Sequence, residues 1–333
     1  MRHTAYPPTR RGDHQDVTGK VRISDPAAVL AAVRNILRAR FPDFHDQALE
    51  QAFETYGRLY AGWLPGYVGC DTWYHDAQHS LDCALAMARL LDGHDRSVAA
   101  SERLGARRAT LGVIIALFHD AGYIRKTGDS AHNGAEYTLC HVQRSGDFLR
   151  GFLPAIGYAP EAELASRVVH FTGYEIALDR IQVAEPKDRM LGFLLGTADV
   201  LAQTSDRCYL EKCRDFLYRE FTYCGLAGPA RTGQRAPVYA SAEDLLRKTL
   251  EFNRKLWEER LDGYFGGVHR HVRAHFGGDD PYAAWIEAHL ARIRELIARD
   301  ALDELRLKPR AIRAAALRKI LSRRSPTTKT RAA

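Results

Sequence analysis

The chain has 333 residues, of which 46% are hydrophobic and 27% charged, a composition that excludes global disorder and predicts a sizeable core. Its longest apolar run, VIIALF at 113–118, is far below the ~20 residues that a membrane-spanning helix needs, and the N-terminal residues contain no apolar signal-peptide region. Six cysteines without a CxxC pair are typical of reduced thiols, so we expect a soluble, cytoplasmic protein rather than a zinc ribbon.

The net charge of +7 is concentrated at the C-terminus. Ten basic residues and no acidic residue lie from position 305 onwards, so residues 1–304 carry a net charge of −3. Such a tail is typical of proteins that contact nucleic acid or an anionic surface, but a solvated helix end has the same composition. Both interpretations stay open from the sequence.

Residues 1–24 are rich in Pro, Thr, Arg and Gly and are predicted to form a flexible arm. Asp25 then supplies a helix N-cap and Pro26 lies in the first turn of the helix that follows. Later helical patterns lie at about 45–64, 76–92, 99–120, 132–149, 161–171, 188–206, 207–222, 241–262 and 280–300. Because alternating β-branched patterns are almost absent, we predict one compact all-α, multi-helix domain at 25–300 and a basic helical and disordered tail at 301–333.

Two histidines lie one helical turn apart in the segment TWYHDAQHSLD at 72–82. His75 and His79 occupy positions i and i+4, roughly 5–6 Å apart on one helix face, which is close enough to share a metal, a phosphate or a water. By contrast, His45-Asp46 lies at a predicted helix start and His94-Asp95 in a predicted loop, so we interpret both as surface features.

His119-Asp120 ends the segment TLGVIIALFHD, whose last two turns are apolar on nearly every side. A helix of this kind is buried, and a buried carboxylate persists only when it is paired or bound to a metal. Asp199 lies in a similar apolar run, FLLGTADVLAQ. A hydrogen-bonded His–Asp pair that caps the helix is the non-catalytic alternative for His119 and Asp120.

Taken together, these residues predict a metal site with His79, His119, Asp120 and Asp199 as ligands. Imidazole and carboxylate ligands without a thiolate suit one or two divalent ions: Mn²⁺, Fe²⁺, Zn²⁺, or Mg²⁺ at an oxygen-rich position. Two further histidines, His132 in SAHNGAEYT and His170 in SRVVHFTGY, are candidates for a second site.

The order His, His-Asp, Asp on separate helices resembles the HD superfamily of metal-dependent phosphohydrolases. Within that superfamily WYHDAQHSLD is similar to the Tyr-His-Asn-x-x-His signature of cyclic-nucleotide phosphodiesterase catalytic domains. IIALFHDAGY resembles the apolar helix of that family that ends in His-Asp, and LLGTADVLAQ resembles its late Thr-Asp metal helix. The similarity covers about residues 70–205 and implies an HD-type helical bundle.

The resemblance implies a role for each of these residues. His79, His119, Asp120 and Asp199 would bind the first metal, and Asp120 would bridge to a second and so take part in catalysis. His75 would act as the proton donor to the leaving oxygen. The implied activity is metal-dependent hydrolysis of a nucleotide or another small phosphoester, by a phosphodiesterase or phosphomonoesterase mechanism.

The chain departs from the family pattern at two positions. The Asn of the signature is Asp76 here, and the His that follows the His-Asp pair is replaced by Tyr123. These departures weaken the case for a cyclic-nucleotide substrate more than the case for phosphoester hydrolysis. Arg125 and Lys126, just past the metal helix, are weak candidates for phosphate contacts, and solvated surface charges are the alternative.

Three rival functions fit parts of the same pattern. The ligand order also resembles that of di-iron HD oxygenases that cleave polyol carbon bonds. A zinc peptidase is disfavoured, because Asp76 is shorter than the Glu of HExxH and the motif leaves His119, Asp120 and Asp199 without a role. The third rival is a non-catalytic scaffold that binds metal or nucleotide and docks a partner through its tail. On the enzyme hypothesis, deletion of residues 305–333 should leave hydrolytic activity intact.

Overall fold

The computed structural model describes residues 11–229 and 236–323, and within these ranges the fold is all-α, as the sequence predicts. In chain order its α-helices are α1 (Pro26–Arg40), α2 (Gln47–Ala61), α3 (Ala77–Ser97), α4 (Gly105–Phe118), α5 (His141–Phe152), α6 (Ala162–Val168), α7 (Pro186–Thr204), α8 (Tyr209–Lys212), α9 (Tyr218–Tyr223), α10 (Ala242–Lys255), α11 (His271–His275), α12 (Pro281–Ala298) and α13 (Ala314–Ser322). π-Helical turns follow α8 and α10. Over the described residues, β-type pairing is limited to three isolated bridges, and no helix is long and apolar enough to cross a membrane.

The helix starts follow capping signals that are visible in the sequence. The Asp25 side chain accepts a hydrogen bond from the Ala27 amide at the start of α1, as predicted. At the start of α3, Asp76 accepts from the His79 amide at 3.0 Å. The residue that departs from the family signature is therefore the N-cap of the helix that carries His79.

Helix α3 forms the centre of the fold. It packs against α1, α4, α7 and α11, and every residue from Ala77 to Asp95 is buried, so the prediction of His94-Asp95 as a surface loop feature is wrong. Its apolar stretch CALAMARLL is rich in alanine, and small side chains let the surrounding helices approach closely. Because α4 and α7 both lie against this central helix, their polar residues are brought next to those of α3.

Residues 11–24 differ from the predicted flexible arm. Val17 and Ile23 are 3% and 1% exposed, and the carboxylate of Asp16 is paired with Arg89 of α3. The Trp285 indole donates to the carbonyl of Val17 at 3.3 Å. The segment is therefore anchored to α3 and α12. Its polar composition gives no indication of these contacts. Residues 1–10 lie outside the described residues.

The boundary predicted at residue 300 also differs from the structure. Leu305, Ile312 and Leu317 are each at most 6% exposed, and α13 packs against α2. The Ile312 amide donates to the Asp76 carboxylate at 2.5 Å, which ties this segment to the start of α3. Deletion of residues 305–333 would therefore remove part of the core rather than a detachable tail. Residues 324–333 lie outside the described residues, and contact of the basic residues with nucleic acid or an anionic surface stays a prediction.

A buried polar layer lies along α3. Arg89 donates to the Tyr282 hydroxyl at 2.8 Å in addition to its ion pair with Asp16. Asp82 is 2% exposed, and one of its oxygens has no hydrogen-bond partner among the described residues. Burial raises the pKa of Asp82 to about 7, so this carboxyl group carries a proton over much of the acidic range.

The C-terminal helix is expected to contribute to global stability. Replacing Leu317, which is fully buried, by alanine should lower the free energy of unfolding by about 2–4 kcal/mol, because the deletion leaves a cavity in the core. Urea denaturation followed by circular dichroism measures this change. The matched control is Leu139→Ala at a side chain that is 62% exposed, where we expect less than about 0.5 kcal/mol. Equal effects of the two substitutions would contradict this assignment of α13 to the core.

The Asp82→Asn substitution should change how stability depends on pH. The pKa of Asp82 is about 7 in the folded chain and near the ordinary value of 3.8 when unfolded, so unfolding releases a proton between these pH values. The contribution of Asp82 to the free energy of unfolding therefore falls progressively as pH rises from about 4 to 7. An asparagine at this position cannot ionise, so the variant should gain on the order of 4 kcal/mol over the wild type across that window. Parallel stability curves from pH 4 to 8 would refute the prediction.

Candidate metal centre

Three elements bring four metal-ligating side chains to one point. His79 lies in the first turn of α3, His119 is the C-cap of α4 with Asp120 directly after it, and Asp199 lies in the buried stretch of α7. All four are at most 8% exposed. The grouping that the sequence predicts is therefore present in the fold, formed where α4 and α7 pack on α3.

The ligand atoms of these residues lie at nearly equal spacings. His79 Nε2 is 3.1 Å from Asp199 Oδ1, 3.2 Å from His119 Nε2 and 3.5 Å from Asp120 Oδ2. His119 Nε2 is 3.3 Å from Asp120 Oδ2 and 3.5 Å from Asp199 Oδ1. A metal held at about 2.1 Å separates two ligands by about 3.0 Å at a 90° angle and by about 3.4 Å at a tetrahedral angle. His79, His119 and Asp120 therefore fit one divalent ion, and Asp199 Oδ1 lies within 3.5 Å of both imidazoles.

Hydrogen bonding supports the same interpretation. The Nδ1 of His119 donates to the carbonyl of Ala116 at 2.7 Å, which leaves Nε2 as the nitrogen directed into the cluster. Asp120 Oδ2 is buried and has no hydrogen-bond partner within the described part of the chain. A buried acceptor without a donor is costly, and a bound cation would satisfy it.

The imidazoles of the cluster keep its two carboxylates ionised. Burial alone would raise the pKa of Asp120, but the neighbouring imidazoles, His119 above all, hold it well below its ordinary range. The pKa of Asp199 is lowered against the effect of burial by its bonds to His119 and His79. Both carboxylates are therefore ionised and ready to bind a cation.

One of the cysteines that the sequence indicates as reduced thiols, Cys83, lies beside the cluster. The sulfur of Cys83, one turn after His79 on α3, forms a second possible ligand group with His119 and Asp199, all within 4.8 Å. Burial raises the pKa of the Cys83 thiol to about 11, so it is protonated at neutral pH and is a weaker ligand than the carboxylates.

His75 has a different environment from His79. Its Nδ1 lies 2.6 Å from Oε2 of Glu220 in α9, and the other oxygen of Glu220 accepts from the amides of Trp73 and Tyr74 at 2.5 and 2.6 Å. Glu220 is fully buried. Burial alone would lower the pKa of His75, but the Glu220 carboxylate raises it above the ordinary value, which favours the imidazolium. The sequence offered no signal for Glu220, which lies 145 residues downstream.

His141 is another residue that the sequence analysis missed, and it faces Asp120. The His141 Nε2 lies 3.6 Å from Asp120 Oδ1, the carboxylate oxygen that His79 and His119 do not approach. Tyr123 stacks on both His75 and His141, with ring centroids 4.4 and 4.2 Å away. Burial lowers the pKa of His141 and favours its neutral form, which is the form that binds metal.

A glycine permits this approach of His141. A Cβ atom at Gly122 would lie 1.8 Å from the carbonyl oxygen of His141, so only glycine allows α5 to pack this closely behind the His119-Asp120 pair. The Gly122 next to the His-Asp pair is therefore part of the construction of the site.

The weaker sequence candidates lie elsewhere. His132 is exposed, and its amide donates to Glu136. His170 is buried, but its Nδ1 pairs with Glu175 at 2.8 Å. Arg125 forms an ion pair with Asp71 at 2.8 Å, and Lys126 is exposed. The cavity that contains the cluster is lined by none of these four candidates, which are His132, His170, Arg125 and Lys126. The second-site and phosphate-contact assignments for these four residues therefore receive no support from their positions.

The cluster opens into a cavity of about 390 Å³. His75, Tyr123 and His141 line its polar end together with the four candidate ligands, and Glu175 extends this end. Its volume is at the lower end of the range for small-molecule sites. The candidate ligand cluster and the imidazole of His75 therefore face one common space.

Comparison with known proteins identifies no relative. No protein-family model, no curated protein and no solved structure matches the chain. The resemblance of the motifs to the HD superfamily therefore stays a prediction, and the chemistry of the site has to be argued from its own geometry.

Metal content tests the assigned ligands directly. Asp120→Asn or Asp199→Asn should reduce the manganese retained after gel filtration about tenfold or more, since loss of an outer-shell partner alone costs 10–100-fold in affinity. Inductively coupled plasma mass spectrometry measures the retained metal. His132→Ala is the matched control and should retain the wild-type amount, because His132 is exposed and outside the cavity. Wild-type manganese in both aspartate variants would refute the assignment.

Proposed function

We propose that this chain is a metal-dependent phosphohydrolase that cleaves a phosphoester bond of a small phosphorylated molecule. The observation that carries the proposal is the placement of two unlike groups on one cavity: a buried cluster of nitrogen and oxygen ligands, and an imidazole held separately by a buried glutamate. Phosphoester hydrolysis needs both an activated water and a proton donor for the leaving oxygen.

His79, His119, Asp120 and Asp199 would hold the first metal. A bound divalent ion supplies a water that ionises near neutral pH and a positive charge for the phosphoryl oxygens. Asp120 has Oδ2 near His79 and His119 and Oδ1 near His141, so its two oxygens could contact two different ions if a second ion were bound. We include His141 as a candidate ligand of the second ion, in place of His132.

His75 would act as the general acid. Its Nδ1 is engaged with Glu220, so Nε2 remains as the nitrogen that can hold a proton toward the cavity. The ring centroids of His75 and His79 are 6.2 Å apart and both rings line the cavity, so an ester group in the cavity could contact the proton donor and the metal ligands together. Glu220 would act as a positioning residue, since it also holds the amides of Trp73 and Tyr74.

The basic test combines metal analysis with hydrolysis of bis-p-nitrophenyl phosphate in the presence of Mn²⁺. We expect the wild type to hold one to two metal ions and to cleave the ester, and Asp120→Ala to lose both properties. Two bound irons with oxygen uptake and no hydrolysis would instead support the oxygenase alternative. Bound metal without any turnover would support the scaffold alternative.

A leaving-group series tests the roles of His75 and Glu220. His75→Asn should lower kcat about 100-fold for a diester that releases phenol but much less for one that releases p-nitrophenol, because the better leaving group needs little protonation. Glu220→Gln should show the same pattern with a smaller loss, because glutamine cannot stabilise the imidazolium. Both variants should retain metal. Equal losses with the two leaving groups would rule out the general-acid role.

A further inference from the structure

The cavity continues beyond the metal-binding cluster into an apolar chamber. Its walls come from the loop before α5, from α9 and the segment that follows it, and from α10. The apolar side chains that define the chamber are Leu139, Phe221, Leu226, Val238, Leu245 and Phe252. The candidate metal ligands therefore share one cavity with a set of apolar side chains that come from other elements.

Three threonines line the same space, but their hydroxyl protons are already used. Thr138 donates to the Ala135 carbonyl at 2.7 Å, Thr172 to Val169 at 2.8 Å and Thr249 to Leu245 at 2.9 Å. Each bond returns to the main chain three or four residues earlier, as is common for helical threonines. These side chains therefore offer no free hydroxyl donor to a ligand.

Positive charge is scarce in the chamber. Apart from the histidines, Lys248 is the one basic residue among the described lining residues. Its Nζ already donates to the carbonyl of Val238 and to Asp244, both at 2.8 Å. Among the described residues, a second or third phosphate group would therefore find little counter-charge away from the candidate ligand cluster.

The aromatic rings of the chamber pair with each other. Phe221 and Tyr239 are stacked, with centroids 5.5 Å apart and an interplanar angle of 12°. Tyr174 and Phe252 form a second pair at 6.4 Å. Neither pair leaves a gap wide enough for a planar base, so the rings serve as apolar wall rather than as a clamp for a nucleobase.

We propose that the substrate is a phosphate ester with a single phosphoryl group and an apolar organic group, such as a short alkyl chain, rather than a nucleotide. This inference rests on the proposed function, since the phosphoryl group would lie at the metal-binding end and the organic group in the chamber. Burial of methylene groups there is favourable, whereas a ribose or a base finds no free threonine proton and would depend on Gln203 and the tyrosine hydroxyls of the cavity to replace water.

The test uses the Mn²⁺-loaded protein and a series of p-nitrophenyl alkyl phosphates from methyl to hexyl, with p-nitrophenyl thymidine 5′-phosphate as the nucleotide. All these esters release the same leaving group, so their kcat/KM values differ only through the organic group. We expect about a three- to fourfold gain for each added methylene until the chamber is filled. The hexyl ester should be cleaved faster than the thymidine ester. A flat series, or a thymidine ester cleaved fastest, would overturn the proposal.

Two variants test whether the dependence of kcat/KM on alkyl chain length arises in this chamber. Phe252→Asp, at a side chain that lines the chamber and is 38% exposed, should flatten the dependence on chain length. Trp63→Asp introduces the same charge at a side chain that is 45% exposed and does not line the cavity, so it should leave the dependence unchanged. Equal effects of the two substitutions would overturn the placement of the alkyl group in this chamber.

Calorimetric binding separates this inference from the proposed function. Hexylphosphonate and methylphosphonate carry the same charged group and cannot be hydrolysed as esters. We expect hexylphosphonate to bind at least about tenfold more tightly and with a more negative heat-capacity change, the marker of apolar burial. If no ester is cleaved but the hexyl compound binds more tightly, the hydrolase proposal fails and the apolar specificity stands. If esters are cleaved but the two phosphonates bind equally, the apolar specificity fails alone.

Discussion

Two carboxylates lie against two imidazoles in the interior, and each imidazole Nε2 is 3.1–3.5 Å from the other imidazole and from an oxygen of each carboxylate. An isolated carboxylate in such a place would be strongly destabilising, and here Asp120 and Asp199 are offset by His79 and His119 and would be offset further by a cation. Spacings of this kind persist only when rigid elements hold each group. The central position of α3, buried along most of its length and packed against α4 and α7, provides that rigidity.

The short segment before α3 is held from several directions. Glu220 accepts the amides of Trp73 and Tyr74, and Tyr123 stacks on His75. Asp76 accepts the amides of His79 and Ile312 with its two oxygens. An asparagine has only one acceptor oxygen and could not accept both bonds in this way. The aspartate at this position therefore matches the C-terminal segment that packs behind it.

The site divides into a charged end and an apolar end, and this division gives the cavity a direction. The carboxylates of Asp120 and Asp199 line one part of the cavity, and apolar side chains such as Phe221 and Leu245 line another part. Binding energy from the apolar end does not depend on the chemistry at the other end. On the proposed function, it would orient an ester group between His75 and the candidate ligand cluster, which is how remote binding contributes to catalysis.

Much of the helical pattern and the core of the site could be predicted from local sequence. Apolar periodicity and capping residues indicate most of the longer helices, and an ionisable pair after an apolar helix, as at His119 and Asp120, signals a buried site. Glu220 and His141 carry no such signal, because each lies in an ordinary amphipathic context and acquires its role through contact with a distant segment. The packing of residues 11–24 and 302–322 was missed for the same reason. Local sequence determines which elements form and which face is buried, whereas long-range packing decides which side chains meet, since contacts such as that of Asp76 with Ile312 join residues 236 positions apart.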